Sequence, residues 1–230
     1  MLTYLSLGLG LVSLIAFMIK CNKQRSVGGV FIKNITSLFF LFTTATAIFY
    51  NQDFWKYGIL ILIGGVFGML GDIYLDQKWV YPQHNDNYLN AGFISFGIGH
   101  FFYIGAIFLH MGFGLKDFLV PVIAGVVVAA FTLLTEKPTK CHFGKFKAIV
   151  AVYCLVIGTM TGTALWAMIQ SGFAVQYIVF VVAAALFLLS DIILSSIYFG
   201  TKNTPVNFVL NHTSYYFAQF LIAFSVFLIK

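Results

Sequence analysis

Eight apolar segments constrain this chain more than any other feature, because each is long enough to cross the roughly 30 Å hydrocarbon core of a bilayer. The segments are continuously apolar rather than alternating, which favours helices over a β-barrel. The sequence therefore predicts an all-α polytopic membrane protein, with eight transmembrane helices in one bundle and one domain over residues 1–230. The predicted spans are 2–19, 31–50, 57–75, 89–109, 118–134, 148–169, 175–199 and 207–229.

Composition excludes the soluble classes of protein. Hydrophobic residues make up 60% of the chain and charged residues 9%, whereas a soluble domain carries about 25% charged residues. The three cysteines, Cys21, Cys141 and Cys154, have neither zinc-site spacing nor a disulfide pattern. The net charge of +6 does not indicate nucleic-acid binding, because the basic residues lie between the apolar segments, as they do in oriented membrane proteins.

The basic residues predict an orientation. Loops 20–30, 78–88, 135–147 and 200–206 and their flanks lie on one side of the bundle, which we expect to face the cytoplasm. Both termini would then lie on the opposite side, together with Lys56, Lys116 and Lys230. The basic residues on the cytoplasmic side are Lys20, Lys23, Arg25, Lys33, Lys78, Lys137, Lys140, Lys145, Lys147 and Lys202.

Two aspartates lie inside predicted spans. Asp72 in the third span and Asp191 in the seventh sit roughly 5–12 Å from the cytoplasmic ends of helices that run in the same direction. An intramembrane carboxylate costs several kcal/mol unless it is satisfied, so each is a candidate functional residue. A single one is also found as a plain hydrogen-bond acceptor between helices, but two at matched depth favour a shared site.

Each aspartate is followed by a helix that carries one histidine, His100 or His212. The aspartates are 119 residues apart and the histidines 112. Four helices return the chain to its starting side, so a repeat of four plus four helices would be parallel, with its axis along the membrane normal.

Further polar residues share helix faces with the histidines. Tyr103 lies one turn after His100, and Asn211, Tyr215 and Gln219 recur at helical spacing around His212. His212 is also close enough to the interface to be an ordinary helix-end residue. We expect these groups to converge on one polar cavity between helices 3, 4, 7 and 8.

Four short motifs resemble the YhhN-like family, whose animal members are lysoplasmalogenases. They are LGDIYL, GHFFY, LLSDIIL and YYFAQFLIA, and the resemblance runs over residues 64–224. It implies hydrolysis of the vinyl ether bond of a lysoplasmalogen, a lysophospholipid, to a fatty aldehyde and a glycerophospho-headgroup compound. Asp72 and Asp191 match the family's aspartates, whereas the polar loop at 76–88 departs from the pattern near the expected mouth of the site. Other matching polar positions are His100, Tyr103, Tyr215 and Gln219.

The residues fit that chemistry independently. A vinyl ether is opened by protonation of its β-carbon, which leaves an oxocarbenium ion to which water adds. Glycosidases meet the same cation with two carboxylates, and Asp72 with Asp191 would divide the two roles without a metal or organic cofactor. We expect Asp191 to be the proton donor, with the headgroup near Lys78, His84 and Lys202. The residues that we expect to contact substrate are His100, Tyr103, Asn211, His212, Tyr215 and Gln219.

Two other functions remain compatible with the sequence. A zinc-dependent lipid hydrolase would use His100, His212 and an aspartate, although catalytic zinc usually takes three protein ligands. A transporter or proton-coupled carrier would also show a repeat with intramembrane acids. Against a transporter, the acids lie toward one face and no span is interrupted by proline.

Overall fold

The computed structural model describes residues 1–21, 27–201 and 203–230, and this part of the chain contains eight α-helices and no strand. The predicted all-α class is therefore confirmed. The helices are α1 (Leu2–Cys21), α2 (Val27–Tyr50), α3 (Trp55–Val80), α4 (Asn85–Met111), α5 (Leu119–Leu134), α6 (Lys147–Gln170), α7 (Val175–Tyr198) and α8 (Pro205–Leu228).

Seven of the helices in the described residues, α1 to α7, are long and apolar enough to cross a membrane. The eighth, α8, has 24 residues but carries the polar face that includes Asn211, His212 and Tyr215. Large apolar side chains such as Phe42 and Phe131 are exposed on the outside of the bundle. Lipid rather than water is the solvent in which such a surface is stable, so the protein is an integral membrane protein.

The predicted polar loop at 78–88 is largely helical. Helix α3 continues to Val80 and α4 begins at Asn85, with the short 3-10 helix Pro82–His84 between them. Lys33 and Lys78, which we assigned to loops, lie instead in α2 and α3 and are both buried. The assignment of these two lysines to loops was wrong, because a lysine near the end of a helix cannot be told by sequence position from a lysine in the adjoining loop. Lys23, Arg25 and Lys202 lie outside the described residues.

The helices pack in the order expected of a repeat. Neighbours in the chain form the hairpins α1–α2, α3–α4, α5–α6 and α7–α8, while α2 packs on α3 and α6 on α7. Between the halves, α4 packs on α6 and α8 packs on α2. Exchanging the first four helices with the last four leaves these pairs unchanged, whereas among the described residues the contacts α3–α8 and α1–α8 have no counterpart of similar extent. Helix α3 also contacts α8, and this contact positions the site described below.

The α3–α4 pair depends on a close approach of the two backbones. A Cβ atom on Gly64 would lie 2.9 Å from the carbonyl oxygen of Gly99, and one on Gly99 would lie 2.8 Å from the carbonyl oxygen of Gly64. Small residues at such crossings allow membrane helices to pack closely. The crossing fixes α4 against α3, and so places His100 and Tyr103 beside the interior of the bundle.

Candidate functional site

Asp72 is the centre of a buried polar cluster between α2, α3 and α8. Its Oδ1 atom lies 3.2 Å from the ammonium of Lys33. Its Oδ2 atom accepts hydrogen bonds from Ser37 at 2.9 Å and from Tyr215 at 2.7 Å. The side chain is almost fully buried, and these three donors replace the water that an ionised carboxylate loses inside a bundle.

Lys33 is shared between two carboxylates. Its ammonium also lies 3.1 Å from Oδ1 of Asp76, one turn after Asp72 on α3. The buried Oδ2 atom of Asp76 has no hydrogen-bond partner among the described residues. The cluster therefore contains one cation for two carboxylates.

A chain of hydrogen bonds supports Tyr215 from behind. The Nε2 group of Gln219 donates to the Tyr215 hydroxyl at 3.2 Å, and Oε1 of Gln219 accepts from the Tyr103 hydroxyl at 2.8 Å. All three side chains are buried. Tyr103 and Gln219 therefore orient the hydroxyl that contacts Asp72, and their own hydrogen bonds go to each other and to Tyr215.

Asp191 has a different set of partners. Its Oδ2 atom accepts a hydrogen bond from Tyr153 at 2.7 Å, and the Tyr153 hydroxyl lies 3.2 Å from Nε2 of His100. When the Tyr153 hydroxyl donates to Asp191, its oxygen accepts from Nε2 of His100 in the tautomer that carries the proton on this nitrogen. Within the described part of the chain, Nδ1 of His100 has no partner and Asp191 forms no ion pair.

One aromatic ring separates these two hydrogen-bonded chains. Phe187 lies edge-on to both His100, with ring centroids 4.8 Å apart, and Tyr215, with centroids 5.3 Å apart. Such tilted contacts are favourable for aromatic pairs. The Phe187 ring therefore packs between the hydrogen-bond network of Asp191, which includes His100, and that of Asp72, which includes Tyr215.

Both aspartates line a single cavity of about 220 Å³. Five of the eight predicted site residues lie on its wall, and the cavity also exposes Lys33 and Asp76 to its interior. The other three do not line it: His100 is hydrogen-bonded to Tyr153, Gln219 to Tyr215, and Tyr103 to Gln219. The predicted residues on the wall are Asp72, Asp191, Asn211, His212 and Tyr215.

Asn211 and His212 line the cavity and also form contacts that hold the helices in place. The Asn211 amide donates to the carbonyl of Ser190 at 2.8 Å, which fastens α8 to α7 beside Asp191. Nδ1 of His212 lies 2.8 Å from the carbonyl of Phe208, and its ring packs against the Phe208 ring. Within the described residues, no group of three or more His, Cys, Asp or Glu side chains is arranged to hold a metal ion.

Sequence reasoning missed Lys33, Ser37, Asp76 and Tyr153. A signal for Lys33 was present, since Lys33 and Ser37 on α2 and Asp72 and Asp76 on α3 are both pairs four residues apart, and such pairs share a helix face. We found no comparable signal for Tyr153, which lies in an apolar run as packing tyrosines do.

The site lies in a part of the chain that matches a known protein family. The model of the YhhN family matches residues 29–226, which include Lys33, Asp72, Asp191 and Gln219. The chain belongs to the YhhN family. No curated protein and no solved structure matches the chain. The resemblance seen in the four motifs is thereby confirmed at the level of the family, and the two aspartates of this YhhN protein lie on one cavity wall.

Proposed function

We propose that this YhhN-family protein is a membrane hydrolase that cleaves the vinyl ether bond of lysoplasmalogens. The observation that carries the proposal is one cavity that brings together Asp72 and Asp191 in unlike surroundings, Asp72 beside an ammonium and Asp191 beside a tyrosine. The family resemblance supplies the substrate class, a lysophospholipid with one alkenyl chain.

Asp191 is the proposed proton donor. Asp191 is half-buried, with one hydroxyl donor and, among the described residues, no ion pair, so its ionised form has fewer stabilising contacts than that of Asp72. In its protonated form Asp191 transfers its proton to the β-carbon of the vinyl ether, and the adjacent carbon becomes an oxocarbenium ion. Tyr153 and His100 position the carboxyl and do not contact the reacting atoms in this scheme.

Asp72 is the proposed carboxylate that opposes the developing cation. Its negative charge is held by Lys33, Ser37 and Tyr215, and preorganised charge of this kind lowers the barrier without reorganisation during the reaction. Asp72 also accepts a proton as water adds to the oxocarbenium carbon. The resulting hemiacetal then breaks its bond to the glycerol oxygen, which takes the proton held by Asp72, while the hemiacetal hydroxyl gives its proton to Asp191. The products are an aldehyde and an alcohol, and both aspartates return to their starting protonation states.

We also propose that the end of the bundle near this cavity faces the cytoplasm, with both termini on the other side. The excess of basic residues in the connections after α1, α3, α5 and α7 supports this orientation. A lysophospholipid in that leaflet would place its ether bond just below the glycerol, at the depth of the two aspartates.

Aldehyde release from a lysoplasmenyl-ethanolamine by the purified protein tests the proposal. We expect activity in the parent protein and loss of at least about a hundredfold in both Asp72→Asn and Asp191→Asn, because each removes one of the two acid–base groups. Tyr177→Phe is the matched control, since Tyr177 is a buried tyrosine outside the cavity. An inert parent with both choline and ethanolamine substrates would overturn the proposal, and uptake of lysolipid by sealed vesicles would then be the next measurement.

A further inference from the structure

A second cavity adjoins the site on the far side of α7. It has a volume of about 510 Å³ and lies between α5 and α7, with α6 as its floor. Its wall is mainly apolar and includes Val127 and Phe131 of α5, Cys154 of α6, and Leu188 and Ile192 of α7. A cavity of this size is in the range of roughly 300–1,000 Å³ that ligand sites occupy.

The two cavities meet along one stripe of α7. Asp191, Leu194 and Tyr198 line both of them. These residues are spaced three and four apart, so they lie on one face of the helix. The apolar cavity therefore reaches the carboxyl that we assign as the proton donor.

The rim of the apolar cavity faces the lipid. Val127, Phe131 and Ile192 are each at least 60% exposed on the outer surface of the bundle. A molecule in the bilayer therefore reaches the cavity sideways over these apolar side chains, whereas Thr139 and Ser195 line its end near the α5–α6 connection.

We propose that this α5–α7 groove binds the single hydrocarbon chain of the lysolipid and admits it from the bilayer. The inference rests on the proposed function, because the chain is the apolar part attached to the ether bond beside Asp191. The polar cavity then takes the reacting end of the molecule, and Asp191 lies at the boundary between the two parts. A two-chain lipid would have to leave its second chain in the polar cavity beside Asp72 and Asp76, which disfavours it.

The groove contributes orientation rather than affinity. Lipid tails are as apolar as the groove wall, so transfer of a chain from the bilayer carries little hydrophobic gain. Holding the chain in one direction places the ether bond against Asp191, which is the positioning effect on rate that bound geometry supplies. Narrowing the groove should therefore change chain-length selectivity more than headgroup selectivity.

Photolabelling of the full-length protein tests the groove without relying on hydrolysis. The probe is a saturated alkyl-ether lysophosphoethanolamine with a diazirine on the chain close to the ether oxygen, which has no vinyl ether to cleave. We expect labelled peptides from segments 127–132 and 188–199, and competition by excess unlabelled hexadecyl-ether lysolipid. Labelling confined to α1, α2 or α8, or labelling that is not competed, would overturn the inference.

A matched pair of α6 variants tests whether the groove affects hydrolysis as well as labelling. Cys154→Phe places a ring in the groove, whereas Val152→Phe places the same ring on a lipid-exposed position that does not line it. We expect Cys154→Phe alone to reduce groove labelling and to lower kcat/KM for a hexadecenyl relative to an octenyl substrate by at least about tenfold. Equal selectivity in the two variants would contradict the groove. Competed groove labelling in a protein that hydrolyses no lysoplasmalogen would contradict the proposed function and leave the groove in place.

Discussion

The ammonium of Lys33 lies 3.2 Å from the carboxylate of Asp72, with both side chains at most 5% exposed. The same ammonium lies 3.1 Å from Asp76. Buried ion pairs are costly to form, but removal of one partner is costlier because it leaves a charge without compensation. Lys33 therefore determines whether α3 tolerates two carboxylates in the interior.

Replacement of this lysine gives the first prediction. Lys33→Met should lower the free energy of unfolding by about 3–5 kcal/mol, because Asp72 and Asp76 lose their shared cation. Unfolding by SDS titration in mixed micelles measures the change. The control is Lys56→Met, at an exposed position on the opposite end of the bundle, which should stay within about 0.5 kcal/mol of the parent.

A combined variant separates charge from packing. Adding Asp72→Asn and Asp76→Asn to Lys33→Met removes all three charges, and we expect it to regain most of the lost stability. A single Lys33→Met variant as stable as the parent would contradict the buried ion pair. If the triple variant were no more stable than Lys33→Met, lost packing of the lysine stem would be the cause instead.

Tyr153 gives the second prediction. Tyr153→Phe should reduce turnover by about tenfold to a hundredfold, because Tyr153 stabilises the carboxylate that forms on Asp191 as its proton leaves, and a hydrogen bond to a charged group contributes roughly 1.5–3 kcal/mol. Tyr153 is a positioning residue, so we expect kcat to fall with KM nearly unchanged and the pH–rate profile to shift. Steady-state kinetics of aldehyde release over a range of pH measures both effects.

Tyr177→Phe is the control for the loss of a buried hydroxyl. The Tyr177 hydroxyl is buried and has no hydrogen-bond partner among the described residues. Its removal should leave the pH–rate profile unchanged and raise the stability by up to about 1 kcal/mol. Equal loss of turnover in Tyr153→Phe and Tyr177→Phe would mean that the effect is structural and not specific to Asp191.

Gly68 on α3 gives the third prediction. A Cβ atom there would lie 2.6 Å from Nε2 of Gln219, so Gly68→Ala should displace the amide that orients Tyr215. We expect a loss of roughly 1–3 kcal/mol in stability from the unpaired buried groups, together with about tenfold slower turnover. Gly97→Ala is the control, because open space surrounds that position, and alanine should be neutral or stabilise α4 by up to about 1 kcal/mol. Similar behaviour of the two variants would contradict the role of Gln219.

The sequence revealed the intramembrane acids but not their partners. Asp72 and Asp191 were predictable because a carboxylate stands out in an apolar span, and Tyr215 because it follows a histidine at helical spacing. Which side chain faces Asp191 depends on how α6 is rotated against α7, and an apolar run shows no face when lipid and interior are equally apolar. Lys33 was misread for a related reason, since its position near a helix end fits both a topology signal and an ion pair.

Glu136 gives the last prediction, which concerns pH. It lies in the connection between α5 and α6, where it accepts hydrogen bonds from Lys147 at 2.8 Å and from the Phe143 N–H at 3.0 Å. The hydrogen bond from Lys147, followed by that from Phe143, lowers the pKa of Glu136 below its ordinary value of 4.5. The ionised form therefore stabilises the folded connection above pH 4.5, and this contribution is lost as the pH falls through the lower folded pKa.

The buried thiol of Cys141 reports on this connection. In a Cys21→Ser, Cys154→Ser background, reaction of Cys141 with a dipyridyl disulfide should be slow at neutral pH and accelerate as the pH falls below the pKa of Glu136. Glu136→Gln should react faster at neutral pH, because a neutral amide binds Lys147 more weakly than a carboxylate does. Its rate should then meet that of the parent at low pH, where Glu136 is itself protonated. Parallel pH profiles for Glu136→Gln and the parent would show that another group controls the opening of the connection.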